Sequence, residues 1–531
     1  MASLANLLAR FAAHPRWCAL ALGVLAACGF EPLALWPLTL LALAGLLELI
    51  ARAGSWKQAA LLGWLFGLGH FTVGDNWIAT AFTYQANMPA WLGWIAVVVL
   101  SVYLAVYPAL AALGAWLIAR RMGGEQRLPL ILAFAACWII TEWLRSWVFT
   151  GFVWNPLAMA ALGPFERPGL AGIAPWLGTY ALSAVVVLLA GVWLTAFRRG
   201  KLDWRTAALI LVPVLLLLQP GAVRDTDPAG GIPFTLVQPD VRQEVLDNPA
   251  HWEEQFAKTA WLTQARTPAP RRLVLWPESG IPDYLRDGYP ARLYSGTTYA
   301  GSPVLARRRI GRAIGPGSLL LTGAVDLEVR GEEVVAARNS VTAVDSDGQL
   351  RGSYAKAHLV PYGEYLPMRP VLEPLGLSRL VPGALDFWPG PGPRTLDLGP
   401  WGKAGIQICY EIVFSGQVVD RAHRPAYIFN PSNDGWFGSW GPPQHLAQAR
   451  MRAIEEGLPV LRSTTTGISA VIDADGIVRQ HIPRHIASRL DGIIPPAHEP
   501  TLFARMGNVL PLGWAALLLV LSLVAMRRRR G

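Results

Sequence analysis

The sequence predicts two kinds of structure in one chain, a polytopic α-helical membrane domain of about eight spans and an α/β globular domain. The 531 residues are 53% hydrophobic and only 15% charged, whereas an average soluble protein is about 25% charged. The apolar residues are concentrated in 1–220 and 508–526, and 231–505 has the mixed composition of a globular domain. We therefore predict a membrane domain of seven transmembrane helices at 1–220, a globular domain at 221–507, and a last transmembrane helix with an arginine tail at 508–531.

Each predicted span is an apolar run close to the roughly 20 residues that a bilayer requires. The runs cover 12–30, 33–50, 58–77, 90–119, 128–148, 172–197, 204–220 and 508–526. The fourth and sixth runs are long, so we expect them to tilt or to extend beyond the bilayer.

Basic residues predict the orientation of these spans. They follow the second, fourth, sixth and eighth spans, whereas the opposite loops, such as 74–77 and 150–154, carry little charge; the basic set is Arg52, Lys57, Arg120, Arg121, Arg127, Arg198, Arg199, Lys201, Arg205 and Arg527–Arg530. Lysine and arginine are retained on the cytoplasmic side of membranes. Both termini are therefore predicted to be cytoplasmic and 221–507 to lie outside, which in a bacterium means the periplasm, at the inner membrane.

The net charge of +10 does not indicate nucleic-acid binding, because many of the arginines lie in short clusters beside apolar runs. The four cysteines do not form a disulfide framework: Cys18, Cys28 and Cys137 lie in apolar segments. Leu25-Ala26-Ala27-Cys28 resembles a lipoprotein cleavage site, but apolar sequence resumes at 33–36, so Cys28 is predicted to belong to the first span.

Short β-like runs separated by helix-like stretches predict a substantial sheet in the globular domain. The runs are Phe234–Gln238, Arg272–Trp276, Ser318–Val325, Glu333–Val344, Lys403–Cys409, Ala426–Asn430 and Val460–Ile472, and the helix-like stretches are Pro249–Arg266 and Gln444–Glu456. The apolar, Pro- and Gly-rich segment Leu366–Pro393, with Leu377, Leu380, Phe387 and Trp388, predicts a long loop. It is either an irregular packing insertion or a mobile flap that faces the membrane.

Cys409 ends a β-like run and is the only cysteine in the globular domain. A thiol that attacks an acyl group needs a base to accept its proton and a cation or N–H donors for the oxyanion. Glu278 follows an apolar strand and precedes a turn, which suits a base at a strand end. Lys356 is one of five lysines in the chain and lies between a tyrosine and a histidine. Glu364 is placed to orient Lys356 or to assist proton transfer.

Two other kinds of site are less well supported by the residues. His358 and His445 permit a Cys-His arrangement, but no third partner is evident. Metal-ligand spacing is absent from the sequence, which has no CxxC and no HExxH pattern, so we predict no metal.

Three blocks together resemble the Glu-Lys-Cys signature of the nitrilase superfamily: Trp276-Pro277-Glu278-Ser279, Lys356-Ala357-His358-Leu359-Val360-Pro361-Tyr362-Gly363-Glu364 and Ile408-Cys409-Tyr410-Glu411. The resemblance extends through 432–438, 444–445, 449–453 and 461–464. Seven spans before such a domain and one after it resemble the apolipoprotein N-acyltransferase family.

This resemblance implies an α-β-β-α sandwich and a two-step acyl transfer. Cys409 would take an acyl chain from a membrane phospholipid as a thioester, with Glu278 as general base and Lys356 stabilising the oxyanion. The α-amino group of a diacylglyceryl-modified apolipoprotein cysteine would then accept the acyl chain. Glu364 would support the triad, the Tyr410 backbone N–H is a candidate second oxyanion donor, and Tyr410 and Glu411 would shape the site. No cofactor is implied, and we expect a monomer.

The chain departs from the family pattern in two places. An aromatic residue is often found shortly after the first strand, but this chain has none at 241–247, and threonines occupy 464–466 where asparagine is expected. We expect these departures to affect substrate contacts and not the reaction.

Three other functions compete with this interpretation. A membrane-tethered nitrilase-like amidase shares the acyl-enzyme but resolves it with water. A transporter with a periplasmic binding domain would need more intramembrane charge than Glu48 and Glu142 supply. A catalytically inactive scaffold is disfavoured because all three triad residues are present.

Overall fold

The computed structural model describes residues 14–84, 89–120, 127–199, 203–218, 231–266, 270–375 and 386–527. The chain forms two compact units. The helical unit comprises Met1–Ala79, Ala90–Ala222 and Thr501–Gly531, and the α/β unit comprises Thr80–Pro89 and Val223–Pro500. The division into functional domains at 1–220, 221–507 and 508–531 stays a prediction.

In the described part of the helical unit, a helix lies in each of the eight predicted spans. The helices are α1 (Pro15–Ala27), α2 (Trp36–Arg52), α3 (Trp56–Gly74), α4 (Leu92–Leu104), α5 (Val106–Arg120), α6 (Arg127–Arg145), α7 (Thr179–Arg199), α8 (Trp204–Leu218) and the C-terminal helix Val509–Arg527. When α4 and α5 are taken together, four helical stretches among the described residues are long and apolar enough to cross a membrane: Leu92–Arg120, Arg127–Arg145, Thr179–Arg199 and Val509–Arg527. The chain therefore has apolar helices typical of a membrane protein, and the number of eight spans stays a proposal.

The fourth predicted span is not one continuous helix. It divides at Ala105 into α4 and α5, and Pro108 lies in the first turn of α5. Proline has no N–H to donate to the carbonyl of Leu104, and its ring crowds that carbonyl. The helix is therefore interrupted four residues before the proline.

The sixth span was predicted to begin at residue 172, which is earlier than the long helix begins. Residues 170–177 form two short turns, Leu170–Ile173 and Ala174–Leu177, and α7 begins only at Thr179. Between them, Gly178 has a φ of +75°, and a Cβ there would lie 2.5 Å from the Phe503 ring. A glycine that combines a left-handed conformation with this close approach ends one segment and starts the next.

The two acidic residues singled out in the spans are both paired within the helical unit. The carboxylate of Glu48 accepts hydrogen bonds from Arg52, Arg127 and Arg198 at 2.6–3.2 Å. Buried Glu142 accepts from the Ser183 hydroxyl at 2.6 Å and from a backbone N–H at 2.8 Å. Both carboxylates therefore hold helices and loops together, which gives no support to a transport pathway.

In the part of the α/β unit that the structure describes, there are twelve strands and three longer helices. The strands are β1 (Pro233–Gln238), β2 (Arg272–Leu275), β3 (Ser318–Arg330), β4 (Glu333–Asp345), β5 (Leu350–Ala355), β6 (Thr395–Asp397), β7 (Lys403–Ile406), β8 (Tyr427–Ser432), β9 (Val460–Thr464), β10 (Ser469–Ile472), β11 (Val478–Ile482) and β12 (Ser488–Ile493); the helices are α9 (Trp252–Thr263), α10 (Pro303–Ile314) and α11 (Gly441–Glu456).

The strands form two six-stranded sheets, ordered β12-β1-β2-β3-β4-β5 and β11-β10-β9-β8-β7-β6. Each has a parallel centre, β1-β2-β3 in the first sheet and β7-β8-β9 in the second, with antiparallel strands outside it. The sheets meet where the Ser463 hydroxyl on β9 donates to the Val237 carbonyl on β1, at 2.8 Å.

Helices cover both sheets. Leu262 on α9 and Ile310 on α10 pack into one buried cluster with strand residues such as Val274 of the first sheet. On the second sheet, α11 contacts β9. The unit is therefore the predicted α-β-β-α sandwich, in which apolar strand faces are buried between helices.

Two predicted strands end differently in the structure. The run Val460–Ile472 divides into β9 and β10, because residues between them turn back and the two strands pair antiparallel. The strand predicted to reach Cys409 ends at Ile406, and Cys409 begins the short turn Cys409–Val413. In the Leu366–Pro393 segment, a helical turn spans Arg369–Leu372, whereas Leu377 and Leu380 lie outside the described residues.

Candidate active site

The turn after β7 gives Cys409 an unusual backbone. Its φ is +51°, in the left-handed region, which costs a non-glycine residue on the order of 1–2 kcal/mol. A ring nitrogen of His445 lies 3.0 Å from the Cys409 backbone carbonyl oxygen, so a second element holds this conformation. The thiol thereby leaves the strand ladder at the edge where the other candidate residues also lie, and such strain is typical of a reactive residue.

Glu278 and Lys356 follow β2 and β5, and both are buried. The Lys356 ammonium lies 3.6 Å from a Glu278 carboxylate oxygen and 3.0 Å from both oxygens of Glu364. Burial alone would lower the pKa of Lys356, but the charges of Glu364 and Glu278 outweigh it and raise that pKa. Lys356 is therefore held as a cation between two carboxylates.

The Cys409 thiol belongs to the same cluster. Burial raises its pKa well above the ordinary value, the negative charge of Glu278 raises it further, and the Lys356 cation and an N–H of Asn433 oppose them. The resting residue is therefore a thiol, and it needs a base when it attacks. The structure thus brings together Glu278, Lys356, Glu364 and Cys409 from separate parts of the sequence.

Two asparagines complete this cluster, and sequence reasoning missed both. The side-chain nitrogen of Asn339, on β4, donates to Glu278 and to Glu364, each at 2.8 Å. The backbone N–H of Asn433 donates to the other Glu278 oxygen at 2.8 Å. Asn339 lies inside a β-like run with nothing in its local pattern to mark it, and Asn433 was noted only as part of a resembling block.

Glu411 ties two loops of the site together. One carboxylate oxygen accepts from the Tyr354 hydroxyl and the N–H of Ala357 at 2.7 Å and from the His358 N–H at 3.2 Å, and the other accepts from the Ile408 N–H at 2.7 Å. Burial raises the pKa of Glu411 to about 7, although these donors oppose the rise. Glu411 thereby fixes the Lys356 loop relative to the Cys409 turn.

The neighbouring aromatic residues pack against that same turn. The ring of Tyr410 lies 5.1 Å from the Phe414 ring, edge to face, and the His358 ring stacks on Phe414 at 3.6 Å. Tyr410, which follows the nucleophile in the sequence, is buried, and its ring packs within the turn that carries Cys409.

Of the two histidines considered for a Cys-His arrangement, His358 stacks on Phe414, and His445 contacts a buried carboxylate. His445 lies 3.0 Å from a carboxylate oxygen of Asp434, which Arg462 also contacts at 2.8 Å. Burial would raise the pKa of Asp434, but Arg462 and His445 lower it to about 2. This ionised, buried network supports the backbone of Cys409.

The two departures from the family pattern act on the site through Asn433. Its side chain donates to Gln243 at 2.8 Å and accepts from the Thr465 hydroxyl at 2.7 Å. Both residues belong to the departing segments, and both orient the residue whose N–H binds Glu278. Gln243 and Thr465 thus contact a residue that itself contacts the proposed base. The departures therefore lie closer to the catalytic residues than the expected effect on substrate contacts alone implies.

A cavity of about 280 Å³ lies beside this cluster. Its walls include Trp252, Phe256, Ile281, Tyr284 and Phe387, and Asn339 lines it on the side of the two carboxylates. The end of the predicted flap also contributes backbone contacts: Phe387 donates to the Glu364 carbonyl at 3.1 Å and Gly390 to the Lys356 carbonyl at 2.7 Å. The described part after 385 is therefore bound to the site, and movement of the whole segment stays a prediction.

Known proteins resemble this chain over most of its length. Residues 22–192 match the model of the apolipoprotein N-acyltransferase N-terminal domain, and residues 236–484 match the carbon-nitrogen hydrolase model. Apolipoprotein N-acyltransferases from Bradyrhizobium diazoefficiens and Rhodopseudomonas palustris are 35% and 32% identical, each over 96% of this chain and over 94% and 95% of their own length.

The chain belongs to the apolipoprotein N-acyltransferase family. It is accordingly an N-acyltransferase of a bacterial membrane, with a nitrilase-like carbon-nitrogen hydrolase domain.

Solved structures also resemble part of this family member. An amidase from Nesterenkonia sp. is 17% identical, with a TM-score of 0.33 over 50% of this chain and 92% of its own. A nitrilase-superfamily protein from Saccharomyces cerevisiae is 18% identical, with a TM-score of 0.36 over 51% of this chain and 93% of its own.

Proposed function

We propose that this chain transfers an acyl chain from a membrane phospholipid to the α-amino group of the N-terminal S-diacylglyceryl cysteine of apolipoproteins, through a thioester on Cys409. The observation that carries the proposal is the buried cluster in which a thiol, a carboxylate and an ammonium meet. Lipoprotein maturation would end with this step.

In the first half-reaction, the Cys409 sulfur attacks the ester carbonyl while Glu278 accepts the thiol proton. Lys356 stabilises the developing oxyanion, for which the Tyr410 backbone N–H is a second candidate donor. When the carbon–oxygen bond breaks, Glu278 returns the proton to the leaving lysophospholipid. Charge is conserved throughout, and the acyl chain is left as a thioester.

In the second half-reaction, the acceptor amine attacks the thioester. The carbon–nitrogen bond forms, the carbon–sulfur bond breaks, and the proton lost by the amine passes through Glu278 to the sulfur. A thioester retains enough acyl-transfer potential for this step, so no cofactor enters the scheme. Glu364 holds Lys356 in place in both halves, and Glu411 holds the two loops.

The proposed setting is the bacterial inner membrane, with the α/β unit in the periplasm and both termini in the cytoplasm. The distribution of arginine and lysine supports this orientation. So does the grouping of Arg52, Arg127 and Arg198 on one carboxylate, Glu48, since the proposed orientation puts all three on the cytoplasmic side. Both lipid substrates would then be reached from the outer leaflet.

The competing function is a hydrolase in which water resolves the thioester. To separate the two, the purified full chain is incubated with phospholipid and its intact mass is measured, beside the matched variant Cys409→Ala. We expect a gain of one acyl chain, labile to hydroxylamine and absent from the variant. A diacylglyceryl-cysteine peptide should then remove the acyl chain and carry it as an amide.

Each other outcome has a definite meaning. If the adduct forms and only water removes it, the hydrolase function replaces the transferase function. If no adduct forms with any phospholipid, the acyl donor and the thioester are both wrong.

A further inference from the structure

Asn339 occupies a position that neither the motifs nor the family comparison marks. One side-chain nitrogen carries two N–H groups, and each has a different carboxylate partner, Glu278 and Glu364, at 2.8 Å. Its backbone carbonyl accepts the N–H of Lys356 at 2.8 Å. A single residue on β4 thus contacts the base, the lysine and the supporting carboxylate.

The two carboxylates differ in how many donors hold them. Glu364 accepts from Asn339, from the Val360 N–H at 2.8 Å, and from Lys356 at 3.0 Å. Glu278 accepts from Asn339 and Asn433, and Lys356 lies farther away, at 3.6 Å. Glu364 is therefore the tighter partner of the lysine, and Glu278 retains more capacity to accept a proton.

If Glu278 is to accept a proton while Glu364 stays bound to Lys356, a neutral hydrogen-bond donor is needed between the two carboxylates. Among the described residues, Lys356 lies close to both Glu278 and Glu364, and the charges of Glu278, Lys356 and Asp434 all act on the thiol of Cys409. Two carboxylates around one ammonium leave a net negative charge, and like charges repel strongly in a buried site. An amide that donates to both lowers this repulsion without adding charge.

We propose that Asn339 is a positioning residue that keeps Glu278 and Glu364 in separate roles, Glu278 as proton acceptor for Cys409 and Glu364 as the fixed counter-ion of Lys356. The proposal rests on the proposed function for its reaction. Asn339 acts through the two glutamates and reaches the cavity beside them, so its effect falls on proton transfer more than on lipid affinity.

The test compares Asn339→Asp with the wild type in the full chain, reconstituted with phospholipid. Aspartate has nearly the same shape, but it removes both donors and adds a third negative charge. We expect single-turnover acylation near neutral pH to fall about tenfold or more. We also expect the acidic limb of the pH–rate profile to move to higher pH by roughly one unit, because a crowded carboxylate holds its proton more tightly.

Two companion variants separate positioning from folding. Asn339→Ser keeps one donor and should recover part of the rate. Asn248→Asp makes the same chemical change at an exposed position, where the side chain only accepts from the Ala250 N–H, and its profile should match the wild type. The KM for phospholipid should change less than kcat in Asn339→Asp.

A readout without lipid distinguishes failure of this proposal from failure of the proposed function. The rate at which iodoacetamide alkylates Cys409, followed by peptide mass, also depends on proton removal from the thiol, and it should fall in Asn339→Asp. If acylation and alkylation both keep the wild-type rate and pH dependence, Asn339 does not position the base. If both fall equally in Asn339→Ser and Asn339→Asp, with loss of thermal stability and an unshifted pH profile, its role is structural. If alkylation responds as expected but no variant forms an acyl-enzyme, the positioning role stands and the acyl donor is wrong.

Discussion

At the scale of single residues, Lys356 is the buried cation that balances the charge of two neighbouring carboxylates. It is 1% exposed and is the cation within reach of both Glu278 and Glu364. Lys356→Met removes that cation at similar volume, and we expect acylation of Cys409 to fall by about 10²–10³-fold, as when one oxyanion donor is lost. Leaving two buried carboxylates uncompensated should also cost about 3–5 kcal/mol of stability.

The measurement is single-turnover acylation by intact mass, with thermal unfolding in parallel. Lys403→Met is the matched control, because Lys403 is an exposed residue on β7, and its rate should equal the wild type. Full activity of Lys356→Met would remove the lysine from the mechanism. Lys356→Arg should not restore the rate, since a planar guanidinium does not fit a site shaped for a compact ammonium.

The sequence identified these residues because each stands in a local block that resembles a known signature. It could not identify Asn339, which becomes part of the site only when β4 pairs beside β3 and its side chain meets two loops. The links through Gln243 and Thr465 were missed for the same reason: a contact between residues about 30 to 190 positions apart leaves no local pattern.

At the scale of elements, β3 approaches the end of β2 so closely that a side chain has no room. A Cβ on Gly323 would lie 2.7 Å from the Glu278 Cα and from the Ser279 nitrogen. Gly323→Ala is therefore expected to displace Glu278 from its position beside Lys356. Because misplacement by about 1 Å can cost 10²-fold in rate, we expect acylation to fall by about that factor.

The control for this prediction is Gly296→Ala. Gly296 has an ordinary negative φ, and a Cβ there would meet nothing within 4 Å, so its acylation rate should be unchanged. A wild-type rate in Gly323→Ala would mean that β3 moves instead of Glu278.

Glu456, the last residue of α11, is buried, and its burial predicts that the free energy of unfolding depends on pH. Burial, and next the charge of Glu455, raise the pKa of Glu456 to about 7 from the ordinary glutamate value of 4.5. Below pH 4.5 the residue is protonated in the folded and unfolded states alike. Between 4.5 and 7 the unfolded chain ionises first, so folding loses stability as pH rises, up to about 3 kcal/mol above pH 7.

Glu456→Gln should therefore match the wild type near pH 4 and exceed it in stability increasingly up to pH 8. Denaturant unfolding of the full chain in detergent, followed by tryptophan fluorescence, measures the difference. Glu254→Gln, at a largely exposed glutamate, should show no such trend, and a difference that stays constant with pH would refute the assignment.

Most elements were predicted where apolar periodicity is strong, and the errors have identifiable causes. Pro108 interrupts a run that is apolar throughout, and Gly178 delays the start of α7. Strands β5, β6, β11 and β12 were missed. All four are the edge strands of their sheets, and their buried and exposed residues do not alternate regularly, so no period of two marks them in the sequence.

At the scale of the whole molecule, the proposed orientation can be tested with reporter fusions. Alkaline phosphatase fused after Pro500 should be active, because it would follow the α/β unit into the periplasm. A green fluorescent reporter fused after Gly531 should be bright, because the terminal arginines would keep it in the cytoplasm. The opposite pair of results would show that the α/β unit lies in the cytoplasm, where its site could not reach the outer leaflet.

The two sheets also share one plan. Read from β12 to β5 and from β6 to β11, both show the same series of strand pairings: antiparallel, parallel, parallel, antiparallel, antiparallel. In that correspondence β2 matches β8, and the residues that follow them are Glu278 and Asn433. These two residues hydrogen-bond to each other at 2.8 Å. Matching strand ends of the two sheets thus carry unlike groups, a carboxylate on one and an amide N–H on the other, and they meet in a single hydrogen bond.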